Sequence, residues 1–317
     1  MKKQSLKNNA EEVRSLNEES LKARSPWRIA TRRFFRHRMA VVGTIMLFII
    51  VLFVTVGAFF YAEAEGNKTD LFNKMASPSI DHPFGTDLVG RDIFIRAIYG
   101  GQISIMIAIT SVTLSIFVGT VIGVLSGYFG GLVDTILSRL TEALMSIPVL
   151  ILLLVLSTVL SKHQSTIDLF GREISSTVIV IVLLIGFTSW MTLARIVRAQ
   201  VLSLKEQEFV LSARAIGARD GHIIIRHLLP NLIAPIVVTA TLGTSAAIIT
   251  EAYLSFLGFG VQPPTATWGN ILTGAQDRID TLWWMWMTPG LFIVVSVLAI
   301  NFIGDGLRDA LDPRSIR

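Results

Sequence analysis

Six stretches of this chain, at about residues 39–60, 102–127, 136–160, 176–199, 229–252 and 283–303, are apolar over 21 to 26 residues. Roughly 20 such residues in an α-helix span the hydrocarbon of a bilayer. No water is present there to satisfy backbone N–H and C=O groups, so each stretch must close its hydrogen bonds within itself. The fold class this predicts is an all-α membrane bundle of six transmembrane helices. Composition agrees: 52% of side chains are hydrophobic and 16% charged, and the mean hydropathy is +0.61. The 317 residues contain no cysteine, which excludes disulfides, thiolate metal sites and thiol nucleophiles.

An even number of spans puts both termini on one side, and the basic residues say which. With a cytoplasmic N-terminus, 21 of the 28 Lys and Arg residues face inward. The chain is therefore expected to cross its membrane several times with both termini cytoplasmic. The net charge of +5 belongs to this pattern rather than to a nucleic-acid surface, because the bases are dispersed around hydrophobic spans. The first span is expected to remain uncleaved, since its apolar run is longer than a signal peptide core of about 7–15 residues. Residues 1–38 read as a basic tail, disordered over the first 24 and then interfacial, with Trp27, Phe34 and Phe35 set among arginines. Residues 39–101 form the first span and an extracytoplasmic loop, 102–304 the core, and 305–317 a C-terminal tail.

Gly119, Gly123 and Gly127 recur every four residues in the second span, a face on which another helix can approach closely. The fifth span offers Ala240, Gly243, Ser245, Ala246 and Ala247 for the same purpose. Trp283, Trp284 and Trp286 read as an aromatic belt at the outer end of the sixth.

Catalytic patterns are missing. The run from Gly85 to Asp92 has the glycine spacing of a phosphate loop, but Arg91 and Asp92 replace its lysine and hydroxyl residue, and no strand precedes it. His222 and His227, five residues apart, are expected on different helical faces, and no metal-ligand pattern includes them. Ionisable residues inside the spans are few: Arg139 and Glu142 share a face near the inner end of the third, and Glu251 lies at the outer end of the fifth. A secondary carrier or channel would need midplane charges or a filter motif, and neither is found.

Between the fourth and fifth spans the chain reads EFVLSARAIGARDGHIIIRHLLPN, residues 208–231. Five formal charges from Glu208 to Arg226 would cost on the order of 10 kcal/mol to bury in lipid, so the segment stays in water. Phe209, Ala213 and Ile216 are spaced as one apolar helical face, with Ser212 and Arg219 on the other side. Gly217 suits a left-handed helix end, Asp220 a cap for a second short helix, and Pro230 the join to the fifth span. Either an interfacial loop on a membrane scaffold or a docking lever fits this pattern.

The segment resembles the EAA loop of permease subunits of binding-protein-dependent ABC importers. The residues that carry the likeness are Phe209-Val210, Ala213 to Ala218, Arg226-His227 and Leu229-Pro230-Asn231. Further blocks match in order: His82 to Asp87 with Gly90-Arg91-Asp92, Glu251 to Gly258 with Val261 to Pro264 and Trp268-Gly269-Asn270, and Gly304 to Arg314. From about residue 25 to its end the chain resembles the C-type permeases of dipeptide and oligopeptide importers. It departs at Leu211, where the family has the glutamate that names the loop, and at Ser212 in place of the first alanine. The resemblance implies a type I ABC importer permease bundle without an ATPase site or bound cofactor of its own. ATP and Mg would be held by two cytoplasmic ATPase subunits; a homologous second permease, an extracytoplasmic solute-binding protein and the lipid bilayer would complete the partners. It implies a coupling loop at 208–230 in which Phe209, Ala213, Arg214, Ala215, Gly217 and Arg219 contact the ATPase, and peptide cargo. Related permeases carry nickel-chelates, glutathione or oligosaccharides on the same machinery.

Overall fold

The computed structural model describes residues 26–160, 165–169 and 171–311; the first 25 residues of the tail, Lys162 and residues 312–317 lie outside the described residues. The helices are α1 (Pro26–Arg36), α2 (Arg38–Phe60), the short α3 (Glu63–Asn67), α4 (Ile93–Phe129), α5 (Gly131–Met145), α6 (Val149–Leu160), α7 (Thr177–Leu204), α8 (Glu208–Ala215), α9 (Asp220–Ile223), α10 (Leu229–Phe256), α11 (Trp268–Thr273) and α12 (Trp283–Leu311). An antiparallel hairpin, β1 (Thr166–Leu169) and β2 (Arg172–Ser175), joins α6 to α7 with Thr166 opposite Ser175.

Among the described residues, five helices, α2, α4, α7, α10 with its N-terminal extension, and α12, are each long and apolar enough to span. The bent pair of α5 and α6 is long and apolar enough only when taken together, which brings the count to six if the pair is one span. The break is a bend of 84° at Ser146, Ile147 and Pro148. Sequence hydropathy merges the two halves into one continuous run over 136–160. Pro148 lacks the N–H that a through-helix needs and pushes Ile147 out of helical geometry. Ser146 donates to the Ala143 carbonyl at 2.7 Å, closing the end of α5.

One end of the bundle gathers Trp268, Trp283, Trp284 and Trp286, and the other gathers Arg139, Arg195, Arg198, Arg214 and Arg219; we call them the tryptophan end and the arginine end. α4 and α7 run parallel from the first to the second and form the most extensive helix pair. Their contact is a stripe of small residues on α4. Ser111 donates to the Val182 carbonyl at 3.2 Å. A Cβ on Gly119 would lie 2.8 Å from the Trp190 carbonyl oxygen, one on Gly123 2.6 Å from that of Ala194, and one on Gly127 2.8 Å from Val201 Cβ. With lipid giving no hydrophobic drive between helices, this backbone-to-side-chain contact is what dispersion forces act on.

Helices reach well past the apolar runs. α4 begins at Ile93 and α12 ends at Leu311, so the divisions at 101 and 304 fall inside helices. The extra turns of α4 carry polar side chains whose partners come from elsewhere: Arg96 on Asn67 at 2.9 Å, the Tyr99 hydroxyl on the Tyr61 carbonyl at 2.7 Å, and Gln102 on the Val54 carbonyl at 2.7 Å. Of the expected aromatic belt, Trp283 and Trp286 are exposed, whereas Trp284 is buried and donates to the Thr86 carbonyl at 3.3 Å. α1 packs back onto the arginine end of α12, where Gly306 leaves room for Phe34.

Candidate functional site

At the arginine end, α8 packs against the ends of α4 and α7 beside α9. Val210 and Ala213 are one turn apart on α8 and are buried with Val201, Val124, Tyr128 and Ile223. The opposite side of α8, with Glu208, Leu211, Ser212 and Ala215, is exposed. This shifts the expected apolar face by a third of a turn. Phe209 and Ile216 do not join Ala213 inside: Phe209 lies at the border, its ring 6.2 Å from that of His227, and Ile216 is 86% exposed. Two helical turns are too few for three spaced apolar residues to fix the phase; packing of Val210 into the cluster with Tyr128, Val124 and Val201 fixes it.

Gly217 ends the helix at φ +81. Ala218 N–H donates to the Ala213 carbonyl and Gly217 N–H to that of Arg214, both at 3.0 Å, the paired bonds of a Schellman end. Asp220 does not cap: it is the first residue of α9, and its carboxylate accepts from the Tyr128 hydroxyl at 2.6 Å. The Arg214 guanidinium stands 5.7 Å over the same Tyr128 ring. Arg219 is the exposed residue preceding α9. The C-terminus of α4 thus grips both short helices through one tyrosine.

No break separates α9 from α10. Ile224–Leu228 is a π-helical turn, and the helix from Asp220 to Phe256 runs unbroken for 37 residues. Pro230 marks a change of winding rather than a corner. The wider turn places residues five apart on one face, which is why the His222 and His227 rings meet at 5.9 Å rather than pointing apart. Among the described residues, no group of three or more His, Cys, Asp or Glu side chains could hold a metal ion.

Beside the segment, Asp134 of α5 receives a bidentate Arg198 of α7 at 2.5 and 2.7 Å, and Ser126 and Ser138 donate to the same carboxylate. Arg139 and Glu142 pair at 3.1 Å on the exposed side of α5.

A cavity of about 680 Å³ opens at the break between α5 and α6, walled by α4, α7 and α10. Its lining is apolar with hydroxyls from Ser115, Thr188, Ser189, Thr192, Thr239 and Thr250, and it includes no ionisable side chain. Gly243 of the small-residue face of α10 opens onto it rather than onto a tightly packed helix.

Residues 119–317 match the family described as binding-protein-dependent transport system inner membrane component, and residues 25–78 match the N-terminal TM domain of oligopeptide transport permease C. The chain belongs to this ABC permease family. It is 42% identical over 308 residues to a protein of Brucella suis biovar 1 provisionally named a peptide permease, with 96% of this chain and 97% of that one covered. To the oligopeptide transport system permease protein OppC of Haemophilus influenzae it is 38% identical, covering 94% and 92% of the two chains, and to OppC of Bacillus subtilis 37%, covering 96% and 94%. Among solved structures, the permease resembles a chain of the MetNI methionine ABC transporter in inward-facing conformations, with a TM-score of 0.54 over 69% of this chain and 98% of that one. At 21% identity that likeness shows the fold, a type I ABC importer permease bundle. The permease is a multi-pass membrane component of a transporter.

Proposed function

We propose that this permease forms one half of a path for dipeptides or oligopeptides across the cytoplasmic membrane, driven by ATP hydrolysis on separate subunits that dock on residues 208–230. In this reading the arginine end is cytoplasmic, the tryptophan end meets an extracytoplasmic binding protein, and a homologous permease closes the path. Peptide cargo is supported by the names of relatives that match over nearly the whole chain. The neutral, hydroxyl-lined cavity suits cargo whose side chains vary in charge, since it offers hydrogen bonds to a peptide backbone and no fixed charge to repel either sign.

The observation that carries the coupling is the division of α8 into a side locked to its own bundle and a side left free. Val210 and Ala213 make the helix rigid with α4 and α7, while Leu211, Ala215 and Ile216 are left for a partner. Ala213 therefore serves from within, and the docking contacts fall to Leu211, Ala215 and Ile216, with Phe209 and Arg214 at the flanks. Where the family carries a glutamate, exposed Leu211 makes docking here a matter of packing.

Capture of the co-expressed ATPase pair on the solubilised chain tests this. Leu211→Asp with Ile216→Asp, both at exposed positions, should lower capture at least tenfold at unchanged membrane level; equal capture rules the docking assignment out. Uptake of labelled di- to pentapeptides into proteoliposomes with the cognate binding protein tests the cargo, and competition by a nickel-chelate or an oligosaccharide but not by peptide would replace it.

A further inference from the structure

We propose that Glu251 is a positioning residue: it fastens the 257–271 segment and α11 to the ends of α4 and α10, so that the tryptophan-end surface moves as one body with α10.

Glu251 lies five residues before the end of α10 and is wholly buried. No ion pair among the described residues includes it. A buried carboxyl without a cation must be satisfied by hydrogen bonds, and here they arrive in two matched relays. Trp268 N–H donates to Ser104 Oγ at 3.2 Å, and Ser104 Oγ donates to Glu251 Oε2 at 3.1 Å. Val261 N–H donates to Ser255 Oγ at 3.1 Å, and Ser255 Oγ donates to Glu251 Oε1 at 2.7 Å. Each serine oxygen that receives a backbone N–H keeps its own hydrogen free to donate, and in both contacts it is given to the carboxyl. The relays therefore have one polarity, and both carboxyl oxygens are acceptors. Thr267, whose hydroxyl oxygen takes the Asn270 N–H at 3.0 Å, also reaches the same carboxyl.

The three hydroxyls come from three places: α4, α10 and the cap of α11. The backbone groups they relay lie in the segment that follows α10. This segment turns back at Gly258, with φ +83, and comes so close over α10 that a Cβ on Gly269 would lie 2.6 Å from Ala252 Cα. It is tied outward as well. Ser175 N–H donates to Thr265 Oγ1 at 2.8 Å, Gln262 N–H to Thr177 Oγ1 at 3.0 Å, and the Ser157 hydroxyl to the Phe259 carbonyl. Through Ser104 and Ser255, Glu251 thus joins α4 and α10 to a segment which also touches α6 and α7.

Its place on α10 gives the clamp a purpose. The helix from Asp220 to Phe256 is continuous, about 55 Å at 1.5 Å per residue, with the proposed docking segment at one end and Glu251 near the other. A tilt imposed at Asp220 arrives at Glu251 without passing through a loop, and the clamp hands it to the surface proposed to face the binding protein. This functional part rests on the permease reading above; the clamp itself does not.

The test is Glu251→Gln in the assembled transporter with its ATPase pair, second permease and binding protein. The amide replaces one acceptor with a donor that meets a hydroxyl already pointing at it, so one relay must reverse or open. Hydrogen exchange at the Val261 or Trp268 amide should accelerate at least tenfold while the mid-helix amides of α4 and α10 keep their protection. Peptide uptake should fall at least tenfold with ATP hydrolysis within twofold of wild type, and Glu251→Asp, which keeps two acceptor oxygens, should restore part of the uptake. Unchanged exchange overturns the clamp; uptake and hydrolysis falling together overturn its role in coupling. Should Glu251→Gln fail to assemble, Ser104→Ala and Ser255→Ala decide: the first should release chiefly Trp268 and the second chiefly Val261, and an identical pattern for both refutes the relays. A wild-type transporter that moves no peptide would sink the cargo reading while leaving the exchange result intact.

Discussion

Gly217→Leu isolates the turn of the proposed docking segment from everything around it. At φ +81 the backbone is in the left-handed region, and a Cβ there would meet nothing within 4 Å. The penalty is therefore purely conformational, about 1–2 kcal/mol for an L-residue. It falls on the two bonds that close α8, from Gly217 N–H to Arg214 and from Ala218 N–H to Ala213. It does not fall on the bundle, because Val210 and Ala213 stay seated. A penalty of that size lowers the closed turn relative to frayed forms by a factor of roughly 5–30. Peptide uptake per assembled transporter should drop by a comparable factor, with membrane level and the melting temperature of the isolated permease unchanged. Gly217→Asn is the control, since asparagine tolerates left-handed geometry better than other side chains. The expected order of uptake is Gly, then Asn, then Leu. If Leu matches glycine in uptake at equal assembly, or Asn and Leu are equally impaired, the turn is not what the ATPase reads.

Two stability predictions follow from packing. Gly123→Val drives a side chain into the Ala194 carbonyl and Val197 and should cost about 1–3 kcal/mol, seen as a lower melting temperature in detergent, whereas Gly290→Ala, with open space at its Cβ, should leave it unmoved. Trp268→Ala removes a fully buried ring that stacks on Phe292 at 5.5 Å and donates to the Ala97 carbonyl at 3.0 Å; it should cost about 3–5 kcal/mol and be read as loss of folded protein from the membrane fraction.

Long apolar runs were legible because the bilayer demands them of any sequence, and the four-residue glycine spacing in α4 pointed to a close helix contact for the same reason. The extensions of α4 and α12 were not, since hydropathy penalises Arg96, Tyr99 and Gln102 without seeing that Asn67, Tyr61 and Val54 receive them. Pro148 stood in the sequence as a break signal that the surrounding apolar residues masked. In the 208–230 segment, Gly217 could be read from the turn it enables, but the buried side of α8 could not. The phase of an eight-residue helix is set by what lies beneath it, and Tyr128 is some eighty residues away in the chain. Glu251 was visible only as a charge near a span's end; its partners Ser104 and Ser255 are ordinary serines until the fold brings them together.

The rod that joins the two ends contains two prolines, which ought to divide it. Pro230 and Pro235 each lack the N–H that would take a carbonyl one turn earlier. Around the first, Leu229 N–H reaches back to the Ile224 carbonyl across the π-turn, and the Asn231 side-chain amide donates to the His227 carbonyl at 2.7 Å. Beyond the second, the Thr239 hydroxyl donates to the carbonyl of Pro235 itself at 2.8 Å, while the Asn231 carbonyl receives no N–H from Pro235. The helix stays continuous yet has fewer backbone bonds in its first turns than in its last. Bending should therefore concentrate between Ile224 and Pro235, next to the proposed docking segment, while the stretch from Ala240 to Glu251 moves rigidly. Under the proposed docking, a displacement at Asp220 would divide between bending at Ile224–Pro235 and rigid rotation of the cavity wall beyond it, and the rigid share is the kind of two-state motion that exposing a binding site alternately to two sides requires.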